Sequence, residues 1–367
     1  MKLLLTIADI STTGGAERVC VNLANAFSEM GHQVEILSFY KANETLRFAI
    51  HQNIKIHIWH NMPEPQHRQN MTRYFYPLSK IYYRKLYKFF FSFQVSRKFC
   101  DFDVMIANSD LYVPFLRHKN AQYIRLIHES FSCHARNRSL RLYETLVILS
   151  SKEIATWKSY FKDVRVIPNF LTFIPPPRYN PIQQRILSAG RLSNEKGFLR
   201  LIDIWAKVQD SIYSAYSHLK DWKLIIVGGG DLKETIEAKI NNQNLQDSII
   251  LRPFTQNIES EYLQADIVAM ASHREGFGLV LAEASSYALP CVAFDVKTGP
   301  SDIIESGKSG YLIEDNDLES FAQKLIELMN DESKRKAMGL NARQKMQDCF
   351  SKEAIMPLWE ALLEKHK

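Results

Sequence analysis

The chain contains no run of eighteen consecutive apolar residues, so no segment reads as a membrane-spanning helix. Met1-Lys2 leads directly into Leu3-Leu4-Leu5-Thr6-Ile7-Ala8, which is too short for a secretory leader and reads as a buried first strand. A cytoplasmic protein is expected. Cysteine is sparse: five thiols, at positions 20, 100, 133, 291 and 349 of 367 residues, are odd in number and widely scattered. That excludes a disulfide framework and a zinc spacing. No cluster of histidines and carboxylates has convincing ligand spacing, and Asp101-Phe102-Asp103, a triplet that can hold a metal, leads into an apolar run and reads as a strand boundary. Chemistry without a metal or other cofactor is therefore expected. There is no internal repeat, no low-complexity tract and no G-x-G-x-x-G fingerprint, and Glu35 lies inside the second apolar run rather than at its end, unlike the acidic residue of a dinucleotide fold.

Acidic residues are scarce in one half only. Residues 1–184 carry 24 Lys and Arg against 13 Asp and Glu, whereas residues 185–367 carry 22 against 27. A half near +11 joined to one near −5 suggests that the first meets something anionic and the second does not. The imbalance peaks in residues 66–99, which hold no Asp or Glu. There Arg68, Arg73, Lys80, Arg84, Lys85, Lys88, Arg97 and Lys98 alternate with Tyr82, Tyr83, Tyr87, Phe89, Phe90, Phe91 and Phe93. Such a segment reads either as a basic amphipathic surface lying on an anionic membrane, or as a core helix with a solvated basic side. Nucleic acid ranks below both, because no recognised nucleic-acid motif accompanies the charge.

What is present in quantity is apolar sequence, 46% of the chain, enough for two domains with separate cores. Short apolar runs alternate with longer helical patterns, which predicts parallel sheets covered on both faces. The first set is Lys2–Ala8, Gln33–Ser38, Lys55–Trp59, Asp103–Ala107, Tyr123–Ile127, Thr145–Leu149 and Val164–Ile167. The second is Arg185–Ala189, Trp222–Val227, Ile249–Pro253, Ile267–Ala271 and Cys291–Phe294. Each suffices for one doubly wound α/β domain. The proline-rich stretch from Pro168 to Pro181 resists both helix and central strand and reads as the hinge. The expected domains are 1–168 and 169–350. A last helix at about 351–367 carries Ile355, Leu358, Trp359, Leu362 and Leu363 on one side, with Ser351 as its cap, and is attractive as a return to the first domain.

The chemistry-bearing motifs stand where strands meet helices. Gly14-Gly15 after the first run is either a phosphate-approaching turn or a packing turn. Gly190-Arg191 with Lys196-Gly197 places a guanidinium and an ammonium in one turn, suited to a diphosphate that gains charge as a bond to it breaks, or to a solvated basic loop. Gly228-Gly229-Gly230 can line a nucleotide cleft or merely turn the chain, and Phe254 follows a strand where a base could be met. The most informative segment is Glu275-Gly276-Phe277-Gly278-Leu279 with Glu283 eight residues after Glu275. The glycines leave the amides of Phe277 to Leu279 free to face a ligand, the next helix points its positive end at phosphate, and the two carboxylates can accept hydrogen bonds from hydroxyls. A nucleotide sugar has that combination of groups.

The order Gly14-Gly15, Gly190-Arg191 with Lys196-Gly197, Gly228-Gly229-Gly230, Glu275-Gly276-Phe277-Gly278 with Glu283, Thr298-Gly299-Pro300 and Gly310-Tyr311-Leu312-Ile313 resembles the retaining glycosyltransferases of family 4, of bacterial surface-polysaccharide and lipopolysaccharide type. The resemblance implies a GT-B fold, two Rossmann-like domains facing a central cleft, with the donor on the second and the acceptor on the first. It further implies Arg191 and Lys196 on the diphosphate, Glu283 on the ribose, Glu275 and the Phe277-Gly278-Leu279 amides at the donor sugar, and Gly15 near the phosphates. Similar enzymes carry a histidine at a comparable strand end, which His128 matches, with a satisfied loop histidine as the alternative; Glu129 beside it is a weaker candidate. Where relatives often have a carboxylate after the late glycine, this chain has Gly299-Pro300-Ser301-Asp302, so Asp302 is left out of the site. The expected donor is UDP-linked, and the expected acceptor a lipid-linked oligosaccharide or lipopolysaccharide core at the cytoplasmic face of an inner membrane. An epimerase or phosphorylase of the same plan, or a membrane-surface binder without activity, are the alternatives.

Overall fold

The computed structural model describes residues 1–72, 86–135, 137–176 and 182–364. Arg73, Lys80, Tyr82, Tyr83, Arg84 and Lys85 of the basic aromatic segment, the end of the proline-rich stretch from Pro177 to Pro181, and the last three residues of the expected final helix lie outside the described residues. The chain forms two compact units, Met1–Pro168 with Met356–Lys367, and Asn169–Ile355.

In the first unit seven parallel strands stand in the order β3-β2-β1-β4-β5-β6-β7. They are β1 (Lys2–Asp9), β2 (Gln33–Tyr40), β3 (Lys55–His60), β4 (Val104–Ala107), β5 (Gln122–Ile127), β6 (Thr145–Ile148) and β7 (Val164–Val166). In β4, β5 and β6 every residue is buried, which is why these strands show no apolar–polar alternation, even though β5 includes Gln122 and Arg125. The second unit repeats the plan with six parallel strands in the order β10-β9-β8-β11-β12-β13. These are β8 (Arg185–Ala189), β9 (Lys223–Val227), β10 (Ile249–Arg252), β11 (Ile267–Met270), β12 (Cys291–Phe294) and β13 (Gly310–Ile313). The motif Gly310-Tyr311-Leu312-Ile313 is thus the edge strand, paired in parallel with β12 along its whole length.

Two sequence-based expectations are corrected by the packing. Tyr87 and Phe91, counted on the basic aromatic surface, turn inward from the helix Tyr87–Lys98 and are buried with Val95 against the first core. Within the final helix, Lys352–Glu364, Ile355, Trp359, Leu362 and Leu363 are buried, but Leu358 faces solvent. Asp101 and Asp103 stand just before β4 and hold the start of β1: Asp103 accepts a hydrogen bond from the Lys2 amide at 2.7 Å, and Asp101 pairs with the Lys2 ammonium. Ser351 does cap the last helix, accepting from the Ala354 amide at 3.2 Å. Trp359 packs edge-on against Phe27 of the helix Gly15–Glu29, 5.8 Å between rings.

Candidate active site

In an open parallel sheet the chain leaves strands in opposite directions on either side of the place where the order reverses, and a crevice opens beyond the carboxyl ends there. In the second unit that place lies between β8 and β11, which pair through Ile186–Ile267 and Leu187–Val268. The two charge-bearing loops of the sequence follow these two strands.

After β8, residues Asn194–Lys196 make one tight helical turn that ends on Gly197 in the left-handed conformation at φ +65°. A Cβ on Gly197 would lie 1.8 Å from the carbonyl oxygen of Ala271, at the end of β11, so only glycine permits this approach. Three residues on, Arg200 is buried and aims its fork at the same place. Its Nε donates to Ala271 O at 2.6 Å, its Nη2 to Ser272 O at 2.5 Å, and its Nη1 to Asp315 and Asn316 at 2.7 and 2.9 Å. The guanidinium also lies 4.1 Å over the Phe294 ring. These contacts satisfy a buried charge and fix the start of the loop that carries Glu275. Sequence reasoning passed over Arg200; its signal was a lone cation among Phe198, Leu199, Leu201 and Ile202 in the first turn of an apolar helix.

The pinned loops then meet side by side. The His273 amide donates to Glu195 O at 2.8 Å, and the Lys196 ammonium donates to Glu275 Oε1 at 2.7 Å. The Glu275 side chain is 7% exposed and that of Lys196 32%, so the pair is closed beneath and open on the lysine side. Beneath Glu275, Thr298 donates its hydroxyl to the Glu275 carbonyl, and Gly299 (φ +96°) passes so close that a Cβ would lie 2.7 Å from Phe277 O. Phe277 buries its ring edge-on against Phe350 at 5.5 Å. It can therefore serve a ligand only through its backbone. Gly278 at φ +86° caps the helix Leu279–Ser286, whose Leu281 and Ala282 amides close onto Gly278 O. The amides of Leu279 and Val280 stand ahead of them at the positive helix end.

Glu283, on the second turn of that helix, is buried and accepts a hydrogen bond from the Tyr262 hydroxyl at 2.9 Å. Tyr262 is buried in turn and stacks on Tyr287, 5.4 Å between rings. Glu283 is thus held in one orientation by a partner 21 positions away. The triple glycine has a structural use: a Cβ on Gly228 would lie 2.0 Å from Gly190 O, so the loop after β9 rests backbone to backbone on the loop carrying Arg191. Phe254, after β10, lies beside Gly229 and is half exposed. Arg191 is exposed; its carbonyl accepts from the Ser193 amide at 2.8 Å, while its side chain has no hydrogen bond or ion pair among the described residues. Gly276 is half-buried in the turn between Glu275 and Phe277.

In the first unit, Gly15 opens the helix after β1, but Glu17 folds its carboxylate back over Gly14, where a Cβ would lie 2.1 Å from Glu17 Oε2. An anion at this helix end meets that carboxylate first. His128 directly follows β5, and its Nε2 is sealed from solvent without a hydrogen-bond partner. Its neighbour Arg125 is buried, donating to Ala107 O and Leu126 O at 2.8 and 2.7 Å and pairing with Asp110 at 3.0 Å. Burial first, then the charges of Arg125 and His134, push the His128 pKa from its usual 6.5 down to about 3. The ring is neutral at any physiological pH. Because the folded value lies below the unfolded one, the stability tied to His128 is whole above pH 6.5 and is lost as pH falls from there toward 3. Urea unfolding at pH 7 and pH 5 should show a lower midpoint in acid, and His128→Gln should reduce that difference; an unchanged difference contradicts the assignment.

Residues 13–172 match the family model described as Glycosyltransferase Family 4, and residues 176–345 the model described as Glycosyl transferases group 1. The chain belongs to the family 4 glycosyltransferases, and its two parallel-sheet units are those of the GT-B fold. It is 30% identical to the amylovoran biosynthesis glycosyltransferase AmsD of Erwinia amylovora over 99% of both chains. An α-1,4-N-acetyl-D-galactosaminyltransferase of Campylobacter jejuni, named for an undecaprenol-diphosphate-linked substrate, is 24% identical over 100% of this chain and 99% of its own. Among solved structures, S. aureus TarM in complex with UDP, α-GlcNAc-glycerol and fondaparinux superimposes with a TM-score of 0.81 over 99% of each chain at 16% identity, a likeness of fold. Among the described residues no helix is long and apolar enough to cross a membrane.

The tyrosine behind Glu283 provides a test of the second carboxylate. Tyr262→Phe removes one buried hydrogen bond and keeps the ring stack, so it should cost about 1 kcal/mol of stability. If Glu283 holds the nucleotide, the substitution should raise the donor KM several-fold and leave kcat nearly unchanged. A fall in kcat with KM intact would place Glu283 in the chemical step.

Proposed function

We propose that this glycosyltransferase moves a hexosyl or N-acetylhexosaminyl group from a nucleotide diphosphate sugar, a UDP-sugar, to a lipid-linked oligosaccharide or lipopolysaccharide-core acceptor, with retention of anomeric configuration, on the cytoplasmic side of a bacterial inner membrane. The observation that carries the donor half is the Lys196–Glu275 pair at the strand-order reversal, open on its cationic side, next to an unpaired Arg191 and a helix N-terminus. Three sources of positive potential lie on the two loops that flank the reversal of strand order, which supports a diphosphate there, and Glu275 on the same loops suits sugar hydroxyls. The UDP in the TarM structure and the lipid-diphosphate acceptor in the Campylobacter relative's name support the choice of ligand classes.

In this reading the bond from the anomeric carbon to the diphosphate oxygen breaks while the acceptor oxygen forms its bond on the same face. The acceptor proton passes to the departing diphosphate oxygen, so no separate base and no metal is required. Arg191 and Lys196 bind the charge that develops, the Leu279 and Val280 amides add their dipoles, Glu275 orients the transferred sugar, and Glu283 holds the ribose. Phe254 and Gly229 border the base.

A panel of nucleotide sugars, scored for protection against thermal unfolding and for slow donor hydrolysis, tests the proposal. A donor at a hundred times its Kd adds about 2.7 kcal/mol to native stability. Protection by a UDP-sugar over its GDP and ADP counterparts supports it; neither protection nor hydrolysis by any donor overturns it.

A further inference from the structure

The helix Tyr87–Lys98 has two unlike faces. Tyr87, Phe91, Ser92, Val95 and Ser96 are buried against the first unit. Leu86, Phe89 and Phe93, spaced by three and four residues and so stacked on one stripe, face solvent. Phe115 and Leu116, from the loop after β4, extend the stripe, with the Phe115 ring 5.8 Å from that of Phe89. These five side chains, from two separate segments, are each between 37% and 46% exposed. Single exposed apolar residues are ordinary, but a patch of aromatics gathered from two segments marks a surface that is covered in use.

The two segments that form it carry charges of one sign, with Arg117 paired to Glu144 at 3.7 Å. The helix carries Lys88, Arg97 and Lys98, and residues 111–120 carry Arg117 and Lys119; neither stretch has an acidic residue. Arg97 lies 5.6 Å over the Phe93 ring and so borders the aromatic stripe itself, while Lys98 lies 5.3 Å over Trp59, on the side of the helix that packs on the core. A second copy of the chain would set these cations against their own kind. A bilayer carrying anionic headgroups takes both features at once: aromatic rings enter the boundary between headgroups and acyl chains while lysine and arginine remain at the phosphates.

We propose that Leu86, Phe89, Phe93, Phe115 and Leu116, with Arg97 and Lys119, form a docking face for an anionic lipid bilayer. Compared with the broad segment of residues 66–99, the face loses Tyr87 and Phe91 to the core and gains a second strip of chain. It is independent of the donor assignment.

The test is sedimentation with vesicles of phosphatidylcholine alone and of phosphatidylcholine mixed with phosphatidylglycerol. The protein should bind the mixed vesicles at least about tenfold more tightly than the neutral ones. Phe89→Ser with Phe93→Ser should weaken binding to both by about tenfold or more, with donor hydrolysis retained. Arg97→Gln with Lys119→Gln, which alters only exposed side chains, should remove most of the preference for anionic lipid. Failure of the native protein to bind mixed vesicles overturns the proposal, as does equal binding by the glutamine variant. A native dimer that the serine variant converts to monomer overturns it in favour of self-association. Should the serine variant lose its thermal transition, the glutamine variant decides.

Discussion

Glu275→Ala is expected to lower glycosyl transfer by about a hundredfold or more while the protein stays folded, the size expected when one preorganised electrostatic group is lost. The carboxylate is nearly closed off from water and its Oε1 accepts from Lys196 at 2.7 Å. Its other contacts are through the backbone, where Thr298 holds the carbonyl, so alanine leaves the turn intact. Lys196→Ala leaves Glu275 as a buried anion without its partner, and should cost both turnover and stability, by roughly 3 kcal/mol if the charge cannot be re-solvated. Arg191→Ala removes an exposed, unpaired cation and should cost turnover alone. Combining Glu275→Ala with Lys196→Ala should cost less than the two separately, since removing either already dissolves the pair. Kinetics with a fixed UDP-sugar and acceptor, alongside thermal unfolding, distinguish these cases. Glu275→Ala activity above about a tenth of the native value would move the catalytic centre elsewhere.

Gly197→Ala should be among the most damaging substitutions to stability in the second unit, at about 3 kcal/mol or more. Two penalties add. A left-handed φ of +65° costs an L-residue about 1 kcal/mol, and the new methyl would lie 1.8 Å from Ala271 O and 3.0 Å from Arg200 Nε. The first penalty can be measured alone. Gly307 has φ +83° and nothing within 4 Å of its would-be Cβ, so Gly307→Ala should cost only about 1 kcal/mol. Urea unfolding of the two variants compares them directly. Equal losses would mean that conformation, not the approach of the β8 loop to the end of β11, makes glycine necessary at 197.

The strands were readable because parallel strands buried on both faces are nearly continuous apolar runs, and β8 and β12 were placed to the residue. The edge strand β13 escaped because four residues beginning with glycine carry little period of their own; its pairing with β12 makes it a strand. The faces of the helix Tyr87–Lys98 were unreadable for the opposite reason. Aromatics at 87, 89, 90, 91 and 93 surround the axis, and only the sheet beneath selects which of them turn in.

The same division holds for the site. Local composition alone determined that loops bearing Gly190-Arg191 with Lys196-Gly197 and Glu275-Gly276-Phe277-Gly278 end strands and open helices, because glycine, strand and helix signals act over a few residues. The tertiary structure decided that Lys196 and Glu275, 79 positions apart, are hydrogen-bonded to each other. It also decided that Arg200 holds the carbonyls leading to Glu275, and that Tyr262 holds Glu283. Those contacts depend on β8 and β11 being neighbours at the reversal of strand order. Hydrogen bonds and ion pairs form over about 3 Å in space, whatever the separation along the chain.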